Sequence, residues 1–418
     1  MVNTYLVTKI FLIFLCLKAL IEAYLDARNK KHILTHRNEV PEKFKDSITL
    51  EDHQKAADYS LAKIKASKFF NLIEFIVLLL WTIGGGLESL NQLTKAIYPQ
   101  GGLTGGVVFF LLFMAISFFL SLPQSIYSTF VLEEKFGFNK TTPKVFIIDI
   151  IKSTLVGLVI LIPILYGILW IMSALGNQWW IYAWAFFIGI QLILMWAYPT
   201  FIAPIFNKFT PLEEGEVKDK ILALLKRTEF ESNGLFVMDG SRRSSHGNAY
   251  FTGFGKNKRI VFFDTLINSL NAEEIEAVLA HELGHFKKKH IIKMLAKTVV
   301  MTLVAFFVLG QLMNWDQFYL GHGVKSMETH MGLILFMLLS GIYTFFLTPL
   351  SSLQSRKYEF EADEFAANHS NAQDLITALV KMYKDNASTL TPDPTYSAWY
   401  HSHPPALIRV KFLEKFLK

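Results

Sequence analysis

His281-Glu282-Leu283-Gly284-His285, in the second half of a 418-residue chain, is the stretch on which the reading turns. Upstream of it, Asn271 and Glu274 stand at the spacing of a capping box. Ile275, Val278, Leu279 and Leu283 then recur at the three- and four-residue steps of an apolar helical face. The spacing therefore predicts a helix that runs through the motif. At about 100° per residue, two histidines four positions apart sit about 40° apart on one face of such a helix. Their imidazoles can share one metal ion. Glu282 is displaced by one position, so it can reach a water molecule at that metal without binding the metal itself. This is the HExxH arrangement of a zinc peptidase.

A catalytic zinc takes three protein ligands and keeps a fourth position open. His290 is the nearest further histidine, but nine positions beyond His281 it would lie about 180° round a continuous helix. It reads as a solvated interfacial residue beside Lys287, Lys288 and Lys289. The longer motif, with a glycine and a third histidine at fixed spacing, is absent, and Lys288 stands where that glycine would be. Better placed is Ser355-Arg356-Lys357-Tyr358-Glu359-Phe360-Glu361-Ala362-Asp363. Glu359 and Asp363 share a helical face at i, i+4, and Glu361 points away from it. Glu359 can complete the metal site, while Asp363 accepts a hydrogen bond from a ligand imidazole and so orients it.

Outside these two stretches the chain is strongly apolar. Hydrophobic residues make up 52% and charged residues 18%, with 37 Phe; that balance excludes a disordered chain and puts much of the length in lipid. A disulfide-stapled secreted domain is excluded as well, since Cys16 is the only cysteine. Apolar runs near bilayer-spanning length fall at 5–24, 69–88, 103–125, 145–173, 179–204, 291–313 and 331–350. The first carries Lys9, Lys18 and Glu22 and is the weakest. It lacks a basic leader and a small-x-small cleavage site, so it reads as a retained span and not as a signal peptide. The chain divides into spans one to five (1–204), an insert with the HExxH motif (205–290), spans six and seven (291–350) and a C-terminal stretch with the third ligand (351–418). The insert and the C-terminal stretch lie on one side and can fold together.

The Lys and Arg residues set the orientation. The stretches 25–68, 126–144, 205–290 and 351–418 hold 34 of them, against only Lys95 and Lys325 in the segments on the other side. The positive-inside rule makes the first set cytoplasmic and puts the N-terminus outside or in a lumen. The net charge of +6 is thus a topology signal, and no nucleic-acid partner is needed to explain it. Glu74, Asp149, Lys152 and Gln191 lie within the spans. They either bond between helices or snorkel, or they line a watery cavity inside the bundle.

The two metal motifs are accompanied by Glu133-Glu-Lys-Phe-Gly-Phe-Asn-Lys-Thr-Thr142, Asn207-Lys-Phe-Thr-Pro-Leu212, Asn248-Ala-Tyr-Phe251 and Ser402-His-Pro-Pro405. In this order, and with seven spans, the chain resembles the type I CaaX prenyl protease family of integral-membrane gluzincin metalloendopeptidases. The resemblance covers most of the chain. It implies an all-α membrane protein whose seven transmembrane helices enclose a water-filled chamber, which favours the cavity reading of the intramembrane polar residues. A cytoplasmic, mostly helical zincin domain with a small β-sheet would face that chamber. It also implies one zinc ion per chain, and peptide substrates at the bilayer that end in Cys-a-a-X with a prenylated Cys and lose their last three residues.

His281, His285 and Glu359 would hold the zinc that polarises the scissile carbonyl. Glu282 would pass a proton from water to the leaving amine, and by resemblance His403 and Asn248 would donate to the developing oxyanion. Ala249 to Phe263 reads as a hairpin, whose free edge either accepts a substrate strand or is purely structural. The membrane is a bacterial inner membrane or an ER-type membrane, and broad quality control of membrane proteins would use the same site. A transporter reading leaves both metal motifs unexplained and finds no internal repeat of the usual kind.

Overall fold

The structure is a computed structural model that describes residues 3–252 and 258–417. It is mostly helical. The N-terminal half runs through α1 (Thr4–His36), α2 (Leu50–Trp81), α3 (Gly86–Ile97), α4 (Gly102–Tyr127), α5 (Pro143–Ala174) and α6 (Trp179–Ala197). After them come a short α7 (Ala203–Phe206), α8 (Glu216–Arg227), α9 (Asp264–Ser269) and α10 (Ala272–Lys287). The C-terminal part holds α11 (His290–Leu312), α12 (Asp316–Leu320), α13 (Thr329–Thr344), α14 (Thr348–His369), α15 (Ala372–Asp385), α16 (Pro394–Tyr400) and α17 (Ala406–Leu413).

Among the described residues, five helical runs are long and apolar enough to cross a membrane: Gly102–Glu133, Pro143–Ala174, Gly176–Phe206, His290–Leu312 and Thr329–His369. A sixth arises if α2 and α3, bent by 59° at their junction, count as one. The expected span 69–88 therefore contains a break. Gly84, Gly85 and Gly86 are its cause, with Gly85 at φ +78, where a side chain would be strained. Large apolar side chains such as Phe119, Val159, Leu192 and Val300 face outward, which suits lipid and not water. Phe11 and Leu15 of α1 join an inner core with Phe109, Leu169, Tyr319 and Leu335.

The helices run well past the apolar spans, so the basic stretch 25–68 is largely helical: α1 reaches His36 and α2 begins at Leu50. Between them Val40, Phe44 and Ile48 enter a second core with Leu224 of α8, Phe262, Leu279 and Leu283 of α10, Ala366 of α14, Leu379 of α15 and Val410 of α17. Segments 205–290 and 351–418 thus share one apolar core. Among the described residues its sheet has the order β1-β2-β4-β3, from β1 (Phe209–Pro211), β2 (Leu235–Met238), β3 (Ala249–Thr252) and β4 (Arg259–Phe263). β1–β2 and β3–β4 are antiparallel and β2–β4 is parallel. The expected hairpin is present, with β3 at the sheet edge; its turn, 253–257, lies outside the described residues.

The intramembrane polar residues divide between the two readings. Asp149 receives Arg243 Nε at 2.7 Å, and Lys152 Nζ donates to the Ile205 carbonyl at 2.7 Å, so both bond between segments. Glu74 lines a 490 Å³ cavity with Lys18, Glu22 and Lys68. The Gln191 carbonyl oxygen is buried without a partner among the described residues.

Candidate metal centre and active site

α10 starts as its sequence dictates. The Asn271 side chain accepts from the Glu274 N–H at 2.8 Å, and the Glu274 carboxylate accepts from the Asn271 N–H at 2.9 Å, which completes the capping box. The helix then buries Ile275, Val278, Leu279 and Leu283. That packing leaves His281 and His285 on the face toward α14, with their Nε2 atoms 3.3 Å apart. α14 brings Glu359 up to them. Its Oε2 lies 3.5 Å from His281 Nε2 and its Oε1 3.3 Å from His285 Nε2. The three residues form a group able to hold a metal ion.

Asp363, one turn beyond Glu359 and fully buried, lies 2.8 Å from His281 Nδ1. That contact places a proton on Nδ1 and turns Nε2 toward Glu359 and His285. Burial opposes a charge on His281, but the Asp363 and Glu359 carboxylates outweigh it and raise its pKa from 6.5 to about 9. Metal binding therefore releases a proton from this imidazole.

Glu282, His281 and Asn248 line one cavity of about 630 Å³, which His403 and Pro404 close on another side. His403 is largely exposed, and its Nδ1 comes within 2.7 Å of Glu359 Oε2. The contact lacks hydrogen-bond geometry, so Glu359 Oε2 is a buried oxygen with no hydrogen-bond partner among the described residues. Asn248 immediately precedes β3, and its Oδ1 accepts from the Ala249 N–H at 2.8 Å. All seven residues singled out from the sequence thus gather at one place.

A family model described as the CAAX prenyl protease N-terminal region, with five membrane helices, matches residues 29–208. A second, Peptidase family M48, matches residues 211–417. The CAAX prenyl protease 1 homolog of Dictyostelium discoideum is 36% identical over 433 residues, covering 99% of this chain and 98% of its own. The chain belongs to the M48 family of CAAX prenyl proteases. CAAX prenyl protease 1 of Saccharomyces cerevisiae is 37% identical over 418 residues, covering 94% of this chain and 92% of its own. The crystal structure of S. mikatae Ste24p superposes with a TM-score of 0.90 at 35% identity, covering 99% of both chains. Like others of its family, this M48 peptidase is a multi-pass integral-membrane protein.

The donor set suits the metal that an M48 peptidase requires. Two imidazole Nε2 atoms 3.3 Å apart, with one carboxylate oxygen of Glu359 facing each of them, are a nitrogen and oxygen donor set of the kind that holds a catalytic zinc. Glu359 Oε2, buried and without a hydrogen bond among the described residues although ring nitrogens of His281 and His403 lie within 3.5 Å, is a further sign that an electrophile belongs in the site.

Two features of this M48 peptidase escaped the sequence reading. Arg409 of α17 is buried and bonds Asp363 through both arms, Nε to Oδ2 at 2.9 Å, and its Nη2 lies 3.3 Å from His281 Nδ1. Its position could have been read, because Ala406, Arg409, Val410 and Leu413 fall on one helical stripe that is otherwise apolar. A charge there needs a buried counter-charge. The second is His290, which is not solvated but 1% exposed. Lys289 adopts φ +57, so the helix breaks and α11 restarts at His290. The break turns His290 back onto the site. Its Nδ1 lies 3.0 Å from His285 Nδ1, its Nε2 2.9 Å from Glu361 Oε2, and its ring stacks on Tyr358 at 4.1 Å.

Proposed function

We propose that the protein is a zinc metalloendopeptidase that removes the last three residues of membrane-associated proteins ending in a prenylated Cys-a-a-X. The observation that carries this reading is the convergence of His281, His285 and Glu359 into one group, with His281 and its neighbour Glu282 lining the cavity, in a chain of the CAAX prenyl protease family. The two imidazoles and the Glu359 carboxylate hold one zinc ion. When bound, zinc supplies Lewis acidity toward the scissile carbonyl and makes nearby water more acidic. Glu282 takes the proton from the attacking water and hands it to the leaving amine nitrogen. Asp363 and Arg409 keep the His281 ring aimed, and His290 with Glu361 does the same for His285. His403 donates to the carbonyl oxygen as it gains charge. Asn248 does so through its amide NH₂, since its Oδ1 is engaged with Ala249. The open edge of β3 pairs with the extended substrate backbone.

In this reading α1 and the bent α2–α3 pair join the five longer runs as seven transmembrane helices around a chamber. The 34-to-2 distribution of Lys and Arg supports a cytoplasmic catalytic domain and C-terminus, with the N-terminus outside or lumenal. The domain combines 205–290 with 351–418, whose residues share a core. The test uses purified protein and two Cys-a-a-X peptides, farnesylated and unmodified, read by mass spectrometry with Glu282→Ala and a zinc chelator as controls. Loss of three residues from the farnesylated peptide alone, stopped by both controls, is the expected result. Cutting of both peptides at scattered positions would make broad quality control the better description.

A further inference from the structure

One wall of the cavity takes no part in the chemistry above. It consists of Tyr59, Ser60 and Lys63 of α2 and of Asn386 to Thr389 after α15. The wall is braced from behind. The Tyr59 hydroxyl donates to Glu133, whose second oxygen lies 3.5 Å from His246 Nε2. His246 Nδ1 meets Asn386 Oδ1 at 3.0 Å, and its ring stacks on Phe138 at 4.5 Å. Tyr59, Phe136, Phe138 and Ala387 pack together behind this wall. Ala387 itself is held at φ +42, a conformation a non-glycine residue keeps only when its surroundings fix it.

On this braced wall Lys63 Nζ sits over the Tyr59 ring, 4.9 Å from its centroid. Among the described residues, Lys63 and Arg409 are the Lys and Arg side chains that line the cavity. Arg409 is committed to Asp363. Lys63 has no carboxylate within ion-pairing distance among the described residues, and α2 presents it to the cavity that also holds Glu282. An ammonium on an aromatic face keeps its three N–H donors for an incoming acceptor. Ser60, Ser388 and Thr389 add hydroxyls nearby.

A peptide cut near its end carries one anion that every such substrate shares, the terminal α-carboxylate. Three extended residues span about 10 Å, and a volume of 630 Å³ equals a sphere about 10 Å across. Resting on the Cys-a-a-X reading above, we infer that Lys63 binds the free C-terminal carboxylate of the substrate. The enzyme would thereby place its cut at a fixed distance from the chain end. A carboxylate at a lone ammonium gains a charge-assisted hydrogen bond, whereas a C-terminal amide offers no charge to it.

The experiment compares kcat/KM for one farnesylated Cys-a-a-X peptide made as the free acid and as the C-terminal amide. Wild type, Lys63→Gln and Lys63→Arg are measured, each with its zinc content as a check on folding. Wild type is expected to prefer the acid about tenfold or more, the scale of one hydrogen bond to a charged group. In Lys63→Gln that ratio should fall toward one, mainly through KM, and Lys63→Arg should keep most of it. A zinc-loaded Lys63→Gln that retains the full preference, or a wild type that cuts acid and amide alike, overturns the inference and leaves the protease reading intact. A wild type that cuts neither peptide removes both.

Discussion

Gly284→Ala would put a methyl group at the point where the two ligand-bearing helices come closest. A Cβ at that position would stand 2.8 Å from Ala362 Cα, 3.0 Å from the Ala362 carbonyl oxygen and 3.1 Å from Phe365 Cβ. Two of these three neighbours are backbone atoms, so no change of rotamer relieves them. Non-bonded carbons settle about 3.5 Å or more apart, so α10 and α14 must part by roughly 0.7 Å or turn against each other. Glu359 lies one turn before Ala362 and moves with it, while His281 and His285 flank Gly284. Donor spacings of 3.3 to 3.5 Å would open by a similar amount, against a tolerance of about 0.2 Å in metal–ligand distance. Overpacking of this kind costs about 1–3 kcal/mol; the metal-free protein relieves it by letting the helices part, and the share that the metal-bound state must reimpose lowers zinc affinity by up to roughly 150-fold at 1.4 kcal/mol per decade. Helix propensity acts the other way, favouring Ala over Gly by about 0.8–1.0 kcal/mol. The sign of the effect therefore decides between the two. Zinc affinity is measured in detergent by competition with a chromophoric chelator, alongside thermal unfolding of the metal-free and metal-loaded protein. Wild-type zinc affinity together with a raised unfolding temperature in Gly284→Ala would refute the close-contact argument.

Three other perturbations test the assignments around the metal. Glu282→Gln should keep its zinc and lose about 10²- to 10⁴-fold in kcat/KM; loss of the metal would instead place Glu282 among the ligands. Arg409→Met leaves the buried Asp363 carboxylate without its counter-charge and should cost about 3–5 kcal/mol in unfolding free energy. The double variant with Asp363→Asn should recover part of that, and a double variant less stable than the single one would show that the pair is not coupled. His290→Phe removes the partner of His285 Nδ1 while keeping a ring against Tyr358, and should weaken zinc binding about tenfold or more. Unchanged affinity by the same chelator competition would reduce His290 to a packing residue.

The legible parts of the site were those fixed by a local pattern. The His281/His285 pair, its capping box and the Glu359/Asp363 face all follow from helical spacing, and the structure brings them together. His290 was misread for a specific reason. An offset of about 180° holds only along one continuous helix, and Lys289 at φ +57 breaks it. Nothing in a run of three lysines announces a left-handed residue, whose usual occupants are Gly and Asn. Glu361 was placed correctly as pointing away from the metal face, but its direction acquires meaning only once His290 folds back to meet it. Gly84-Gly85-Gly86 signals the break between α2 and α3, but hydropathy, which sets the span limits, is blind to it. The contribution of Val40, Phe44 and Ile48 to the catalytic core had no such signal. A short apolar scatter between basic residues looks like any solvated loop until its packing partners are known.

The arrangement also explains why so many polar groups surround the His281, His285 and Glu359 group. His285 and Glu359 are separated in sequence by α11 and α13, both within runs of bilayer-spanning length. The two halves of this group are therefore joined through helices of bilayer-spanning length and not through a tight local turn, and a few tenths of an ångström in their relative height and rotation would decide whether it can hold a metal. Four contacts supply that precision. Gly284 against Ala362 sets how closely α10 and α14 approach. The Asp363–His281 bond sets the rotation of α14 about its axis, because only one register puts Glu359 and Asp363 on the two nitrogens of a shared region. Arg409 then draws α17 under both and neutralises Asp363 in a place where an unpaired carboxylate is costly. His290 does the equivalent for His285 at the point where the chain leaves α10 for the membrane. Each of the two imidazoles is thus held by a partner from a different part of the chain, so the His281, His285 and Glu359 group forms only when the helical bundle and the core shared by 205–290 and 351–418 are both in register.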